Sequence, residues 1–138
     1  MTMEETDQLS KALVIDSNPD DRGLLEEILH EYGYQVKGVE EIHEAAPLIK
    51  AEDFSLIISE FEFPTSDKIE ILDLTRHLGS KAKVVLIAPH MRVETYIKAL
   101  ARGAFDCIDK SLEKSALREI IGATGKSIPV RKGLRISV

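Results

Sequence analysis

With a single cysteine, Cys107, the chain cannot close an internal disulfide, and a lone thiol fits a reducing cytosol. No run of eighteen apolar residues occurs, which excludes a helical membrane span. The amino-terminal "MTMEETDQLSK" is acidic and polar, without the apolar stretch of a secretory signal. A Gly-rich phosphate loop, a nucleophile elbow and a Cys-x-x-Cys pair are all missing. His30, His43, His77 and His90 fall at no metal-ligand spacing and read as incidental. Low-complexity tracts are missing too.

What is present is ordinary for one globular domain: 138 residues, 43% hydrophobic and 30% charged. The charge is uneven. Lys126, Arg131, Lys132 and Arg135 give residues 123–138 a charge of +4, so against a total of −6 residues 1–122 carry −10. Such an acidic body repels nucleic acid, and neither direct nucleic-acid binding nor a membrane partner is expected.

Two hydrophobic periods alternate along the chain. "ALVID" reads as a buried strand; Ser17 or Asn18 caps the following helix, Pro19 takes its first position, Asp20 and Asp21 favour its positive end, and Gly33 stops it. "YQVKGV", "FSLIIS", "AKVVLIA" and "AFDCID" are four further strands. "EIHEAAPLIKAED" is a helix whose first turns Pro47 bends or shortens. "SDKIEILDLTRHLG" carries a capping box at Asp67 and Glu70 and a stop at Gly79. "RVETYIKALARG" ends at Gly103, and "SLEKSALREIIG" starts from Ser111 as its cap. Strand–helix alternation at this pitch predicts an α/β fold with a parallel sheet covered on both faces. Ligands and reactive groups in such sheets gather beyond the carboxyl ends of the strands, here Asp16, Ser17, Glu60, Ala88 and Lys110.

Three segments, in order and at matching distances over Lys11–Gly122, resemble the receiver domain of two-component response regulators. They are "VIDSNPDDR", "LIISEFEFPTSDKIEIL" and "ALARGAFDCIDK". The resemblance implies a doubly wound, flavodoxin-like (βα)5 fold, with five parallel strands in the order 2-1-3-4-5. Residues 1–10 are then a flexible acidic amino terminus, 11–122 the receiver, and 123–138 a basic tail or linker. The tail's alternating apolar residues fit a hairpin or docking arm, the stub of a linker, or plain disorder.

Carried over position by position, the family's site is degenerate, of a pseudo-receiver type. Glu60 stands four residues before Pro64, where the family has its phosphoryl-accepting Asp. The extra methylene moves the carboxylate out by about 1.5 Å, and in-line phosphoryl transfer tolerates displacement badly. Asp16 keeps the first metal-binding acid; Ser17 replaces the second. No cofactor is expected beyond a weak Mg²⁺ site at Asp16, Glu60 and the carbonyl of Glu62. Ala88 replaces the Ser or Thr hydroxyl, with Pro89 stiffening the loop, and Cys107 replaces the aromatic switch. Lys110 is kept, Ser111 replaces the Pro after it, and the bond between them is predicted trans. Lys68 stands where the family often has Gly.

Plainer roles stand beside these. Asp16 orients the first turn of a helix, Lys110 is a counter-ion for Glu60 and Asp16, and Cys107 is a small buried apolar residue. Phe61 and Phe63 either pack over the acidic cleft or offer an apolar contact. The resemblance implies a cytoplasmic signalling module rather than an enzyme, acting by protein–protein contact without phosphorylation. Its alternatives are a phosphorylatable receiver with a glutamyl phosphate at Glu60, and a fixed "on" state. The partner is a signalling protein or effector domain, or a second copy meeting it through the fourth helix, fifth strand and fifth helix. Tyr96, Arg102 and Leu117 are the candidate contacts there.

Overall fold

The computed structural model describes residues 10–61, 69–111 and 114–125. Ten elements alternate: β1 (Lys11–Ile15), α1 (Pro19–Glu31), β2 (Gln35–Val39), α2 (Ile42–Ala51), β3 (Leu56–Glu60), α3 (Glu70–His77), β4 (Lys83–Ala88), α4 (Val93–Ala101), β5 (Asp106–Asp109) and α5 (Lys114–Gly125). The five strands are parallel and lie in the order β2-β1-β3-β4-β5. This is the doubly wound flavodoxin-like arrangement that the sequence implied.

The sheet is buried because strand side chains alternate between two apolar layers. Leu13, Ile15, Ile57, Leu86 and Cys107 face α2, α3 and α4, where Ala45, Ile49, Ile71, Leu72, Tyr96 and Ala99 meet them. Val14, Leu56, Ile58, Val85, Ile87 and Ile108 face α1 and α5, against Leu25, Ile28, Leu29, Leu117 and Ile121. Each fully buried Leu or Ile contributes about 1.5–3 kcal/mol. Only β2, at the sheet's edge, is largely exposed.

Local chemistry sets the element ends. The Asn18 side chain accepts from the N–H groups of Asp20 and Asp21, and Pro19 follows in the first turn. Gly33 has φ +88°, the left-handed backbone that suits glycine after a helix. The Glu44 carboxylate, which the sequence did not single out, accepts from the Glu41 N–H at 3.1 Å and caps α2.

Three expectations need correction. Pro47 does not shorten α2: the helix runs from Ile42 to Ala51 with Pro47 inside it. Glu70 is the first residue of α3 rather than its third, so it cannot close a capping box; Asp67 lies outside the described residues. The last helix, read as "SLEKSALREIIG", does not end at Gly122 but continues to Gly125. Gly122 leaves room for Tyr32, since a Cβ there would stand 2.5 Å from a ring carbon. The Ser111 cap would act on a helix start that falls among residues not described, and the tail from 126 onward lies outside them as well.

Candidate functional site

Four segments bring polar side chains to the carboxyl edge of the sheet. β1 ends just before Asp16, and the loop Asp16–Asn18 leads into α1; β3 ends on Glu60, β4 on Ala88 and β5 on Asp109, directly before Lys110. Above them opens a cleft of about 740 Å³, whose walls include Ser17, Asp21, Glu41, His43, Phe61, Glu70 and Pro89. Acid dominates its walls.

Lys110 holds the centre. Its Nζ lies 2.8 Å from Asp21, 3.0 Å from Asp16 and 3.3 Å from Glu60. Asp16 is fully buried, and burial pushes its carboxyl above the usual range despite the Asn18 N–H and Lys110. For Glu60, burial also opposes ionisation, but donors from Ser17 and Lys110 outweigh it and hold the carboxyl below its usual range. Oε1 accepts the Ser17 N–H at 2.6 Å, and Oε2 faces Lys110. The extra methylene of glutamate is what carries a β3 side chain to a backbone donor 43 residues earlier in the chain. Desolvation lowers Lys110, but Asp21 and Asp16 more than offset it and keep the ammonium charged far above neutral pH.

The β4 side of the site is built differently. Ala88 offers a methyl group, and its carbonyl accepts the Lys110 N–H at 2.9 Å. Asp109 ties two loops together: Oδ2 accepts the Met91 N–H at 3.1 Å, while Oδ1 accepts the Ser111 N–H at 2.8 Å and its hydroxyl at 2.6 Å. Burial works against that carboxylate's charge, and these donors prevail, so its pKa is lowered. Cys107 lies beneath, wholly buried; desolvation, and then Asp106, push its thiol up to about 12. That is an apolar filler and not a reactive thiolate.

The sequence-derived set therefore divides. Asp16, the Ser17 backbone, Glu60 and Lys110 come together, whereas Cys107 sits in the core below and Glu62 lies outside the described residues. The Lys110–Ser111 bond is trans, and Phe61 packs onto the core layer at the cleft wall. The candidate contact residues need correcting. Tyr96 is 7% exposed and donates its hydroxyl to Asp106 at 3.3 Å, and Leu117 is 4% exposed against α1. Neither can meet a partner, and Arg102 is half-buried. The large apolar residues exposed on α4 are Val93 and Ile97. Asp21 and Asp109 were missed as site residues; Asp21 drew notice only as a helix-end acid. Its place in the first turn, at the same end of the sheet as Asp16, was the available signal.

A divalent cation is what the resemblance leads one to look for here, and the residues as placed do not fit one. The Glu60 oxygens are engaged by Ser17 and Lys110, Asp16 by Asn18 and Lys110, and an ammonium stands between them. Among the described residues no group of three or more His, Cys, Asp or Glu side chains is placed to hold a metal ion.

Comparison with known proteins agrees on the family. The family model "Response regulator receiver domain" matches residues 12–122. The chain is similar to the response regulator protein PilR of Pseudomonas aeruginosa, 29% identical over 80% of this chain and 25% of that protein. It is similar to the nitrogen assimilation regulatory protein NtrX of Azorhizobium caulinodans, 30% identical over 89% of this chain and 28% of that protein. It thus spans about a quarter of the length of these relatives. Among solved structures, an atypical orphan response regulator, whose structure "revealed a new phosphorylation-independent regulatory mechanism", superposes with a TM-score of 0.70. The two are 19% identical, over 85% of this chain and 97% of that one.

Proposed function

Because the chain belongs to the response regulator receiver domain family, we propose that it is an atypical receiver that passes its signal by protein–protein contact, without being phosphorylated. One observation carries this. Both oxygens of the acceptor-position carboxylate are held from within the chain, Oε1 by the Ser17 N–H and Oε2 by the Lys110 ammonium. An acceptor must present a free oxygen in line with the incoming phosphorus, with positive charge ready for the equatorial oxygens. Here the nucleophile and the positive charge neutralise each other. Ala88 adds no donor for a phosphoryl oxygen, and Cys107, buried beneath, has no ring to turn.

The partner proposed is a cytoplasmic signalling protein or an effector domain. The contact is placed on the outer side of α4, where Val93 and Ile97 are exposed, in place of the buried Tyr96 and Leu117. A homodimer over α4, β5 and α5 is one form of such a contact. The fold lends itself to this use, since one neighbour is described as an atypical regulator with a phosphorylation-independent mechanism.

Intact-mass spectrometry after incubation with Mg²⁺ and acetyl phosphate tests the proposal. The expected result is no phosphoryl adduct on the wild type or on Glu60→Gln. An adduct on the wild type that disappears in Glu60→Gln overturns the proposal and establishes a glutamyl phosphate instead.

A further inference from the structure

Lys110 is the meeting point of three elements besides its own. Asp16 reaches it from the end of β1, Asp21 from the first turn of α1 and Glu60 from the end of β3, at 3.0, 2.8 and 3.3 Å. Its side chain is only 16% exposed, and Asp16 is wholly covered. Three carboxylates converging on a single shielded ammonium form a cation site with its cation already in place.

We propose that the Lys110 ammonium is the resident cation of this pocket, that Asp21 closes the cage around it, and that this arrangement excludes divalent metal ions. The inference concerns the same pocket as the proposed function and rests on that family reading, but not on whether the protein is phosphorylated. The cage does not depend on the ammonium for its shape. The Asn18 N–H fixes Asp16, the Ser17 N–H fixes Glu60, and the Asn18 cap fixes the helix turn that bears Asp21. Both backbone donors persist if the lysine side chain is replaced. Asp21, 43% exposed, forms the solvent side, where a hexacoordinate ion keeps its waters. As built, a divalent ion has to displace a shielded ammonium and leave it uncompensated, at a heavy cost. With the ammonium gone, three negative charges face one another and require a cation.

The test is a Mn²⁺ titration followed by electron paramagnetic resonance, with Mg²⁺ as competitor and no phosphodonor present. It compares the full wild-type chain, Lys110→Met and Lys110→Met/Asp21→Asn. Lys110→Met is expected to bind Mn²⁺ at least about tenfold more tightly than the wild type, with Asp21→Asn reversing most of the gain. If Lys110→Met is poorly folded, Mn²⁺ is expected to raise its thermal midpoint while leaving that of the wild type in place. Wild-type binding as tight as the variant's overturns the proposal. So does a Lys110→Met chain that gains neither Mn²⁺ affinity nor a Mn²⁺-dependent midpoint. An adduct in the mass experiment, alongside a wild type that takes up no Mn²⁺, would sink the functional proposal and spare this one.

Discussion

The two flanks of the sheet's carboxyl edge are built in opposite ways. On the β1–β3 flank the charges remain, and they are spent on each other: Asp16, Asp21 and Glu60 all turn toward Lys110. On the β4–β5 flank Ala88 offers a methyl group and Cys107 is wholly buried, so packing dominates. Cys107 and Tyr96 share one apolar layer, the Tyr96 hydroxyl reaches Asp106, and Asp109 ties the β4–α4 loop to the β5–α5 loop. One flank is held by self-neutralised charge and the other by filled apolar volume, and each leaves its own thermodynamic mark. The first depends on charge and fades with titration; the second depends on dry volume.

Three measurements sharpen or break that contrast. The largest effect is expected from the dry flank at high pH. The folded Cys107 thiol titrates at about 12 against an ordinary 9.0. Above pH 9 the unfolded chain loses this proton and the folded chain keeps it. A raised pKa of this kind contributes stability that is whole below the unfolded value and is lost as pH rises through the folded one. The loss is about 1.4 kcal/mol per pH unit across that window. Denaturant unfolding of the wild type and Cys107→Ala between pH 8 and 11 checks it, with the steeper slope expected in the wild type. Parallel slopes would show the thiol to be wet.

Next comes Tyr96→Ala, expected to cost about 3 kcal/mol in urea unfolding through the cavity left between α4 and β5. Ile97→Glu, one residue along the same helix but 59% exposed, is expected to stay within about 0.5 kcal/mol of the wild type. A large loss for Ile97→Glu would mean that the outer side of α4 is covered.

The charged flank gives the smallest effect. The folded-state pKa of Glu60 is lowered, so its contribution is present above the unfolded carboxylate value and lost as pH falls through the folded one. Because Glu60 is partly open to water, Glu60→Gln is expected to cost about 1 kcal/mol at pH 7 and nothing at strongly acid pH. A cost that persists in acid would place the role of Glu60 in packing rather than in charge.

The strands were legible because each fully buried run is short, β-branched and bounded by turn chemistry, and their order was what the resemblance implied. β2 was legible as a strand, though its edge position leaves it exposed. Helix phase was harder to read. Tyr96 and Ile97 are adjacent in sequence and differ only in which side they face, and composition does not say which residue of an apolar pair points inward. The site's outline came from strand ends, so Asp16, Glu60 and Lys110 could be named in advance. Asp21 and Asp109 could not, because their partners lie across loops whose path a sequence does not give: Met91 is 18 residues from Asp109. The close approach of Tyr32 to Gly122 was not legible either, because glycine serves turns and close contacts alike.

The ion pair between Asp16 and Lys110 joins residues 94 apart, one beyond the first strand and the other just past the last. Closing so long a loop gains little until the intervening strands are in register, so the pair is expected to form late in folding. Contacts made after the rate-limiting step scarcely alter how fast a chain folds; they govern how slowly it comes apart. On that expectation the ammonium that neutralises the pocket is also a late fastener of the fold. Its loss is then expected to shorten the lifetime of the assembled domain and hardly to change the speed of its assembly.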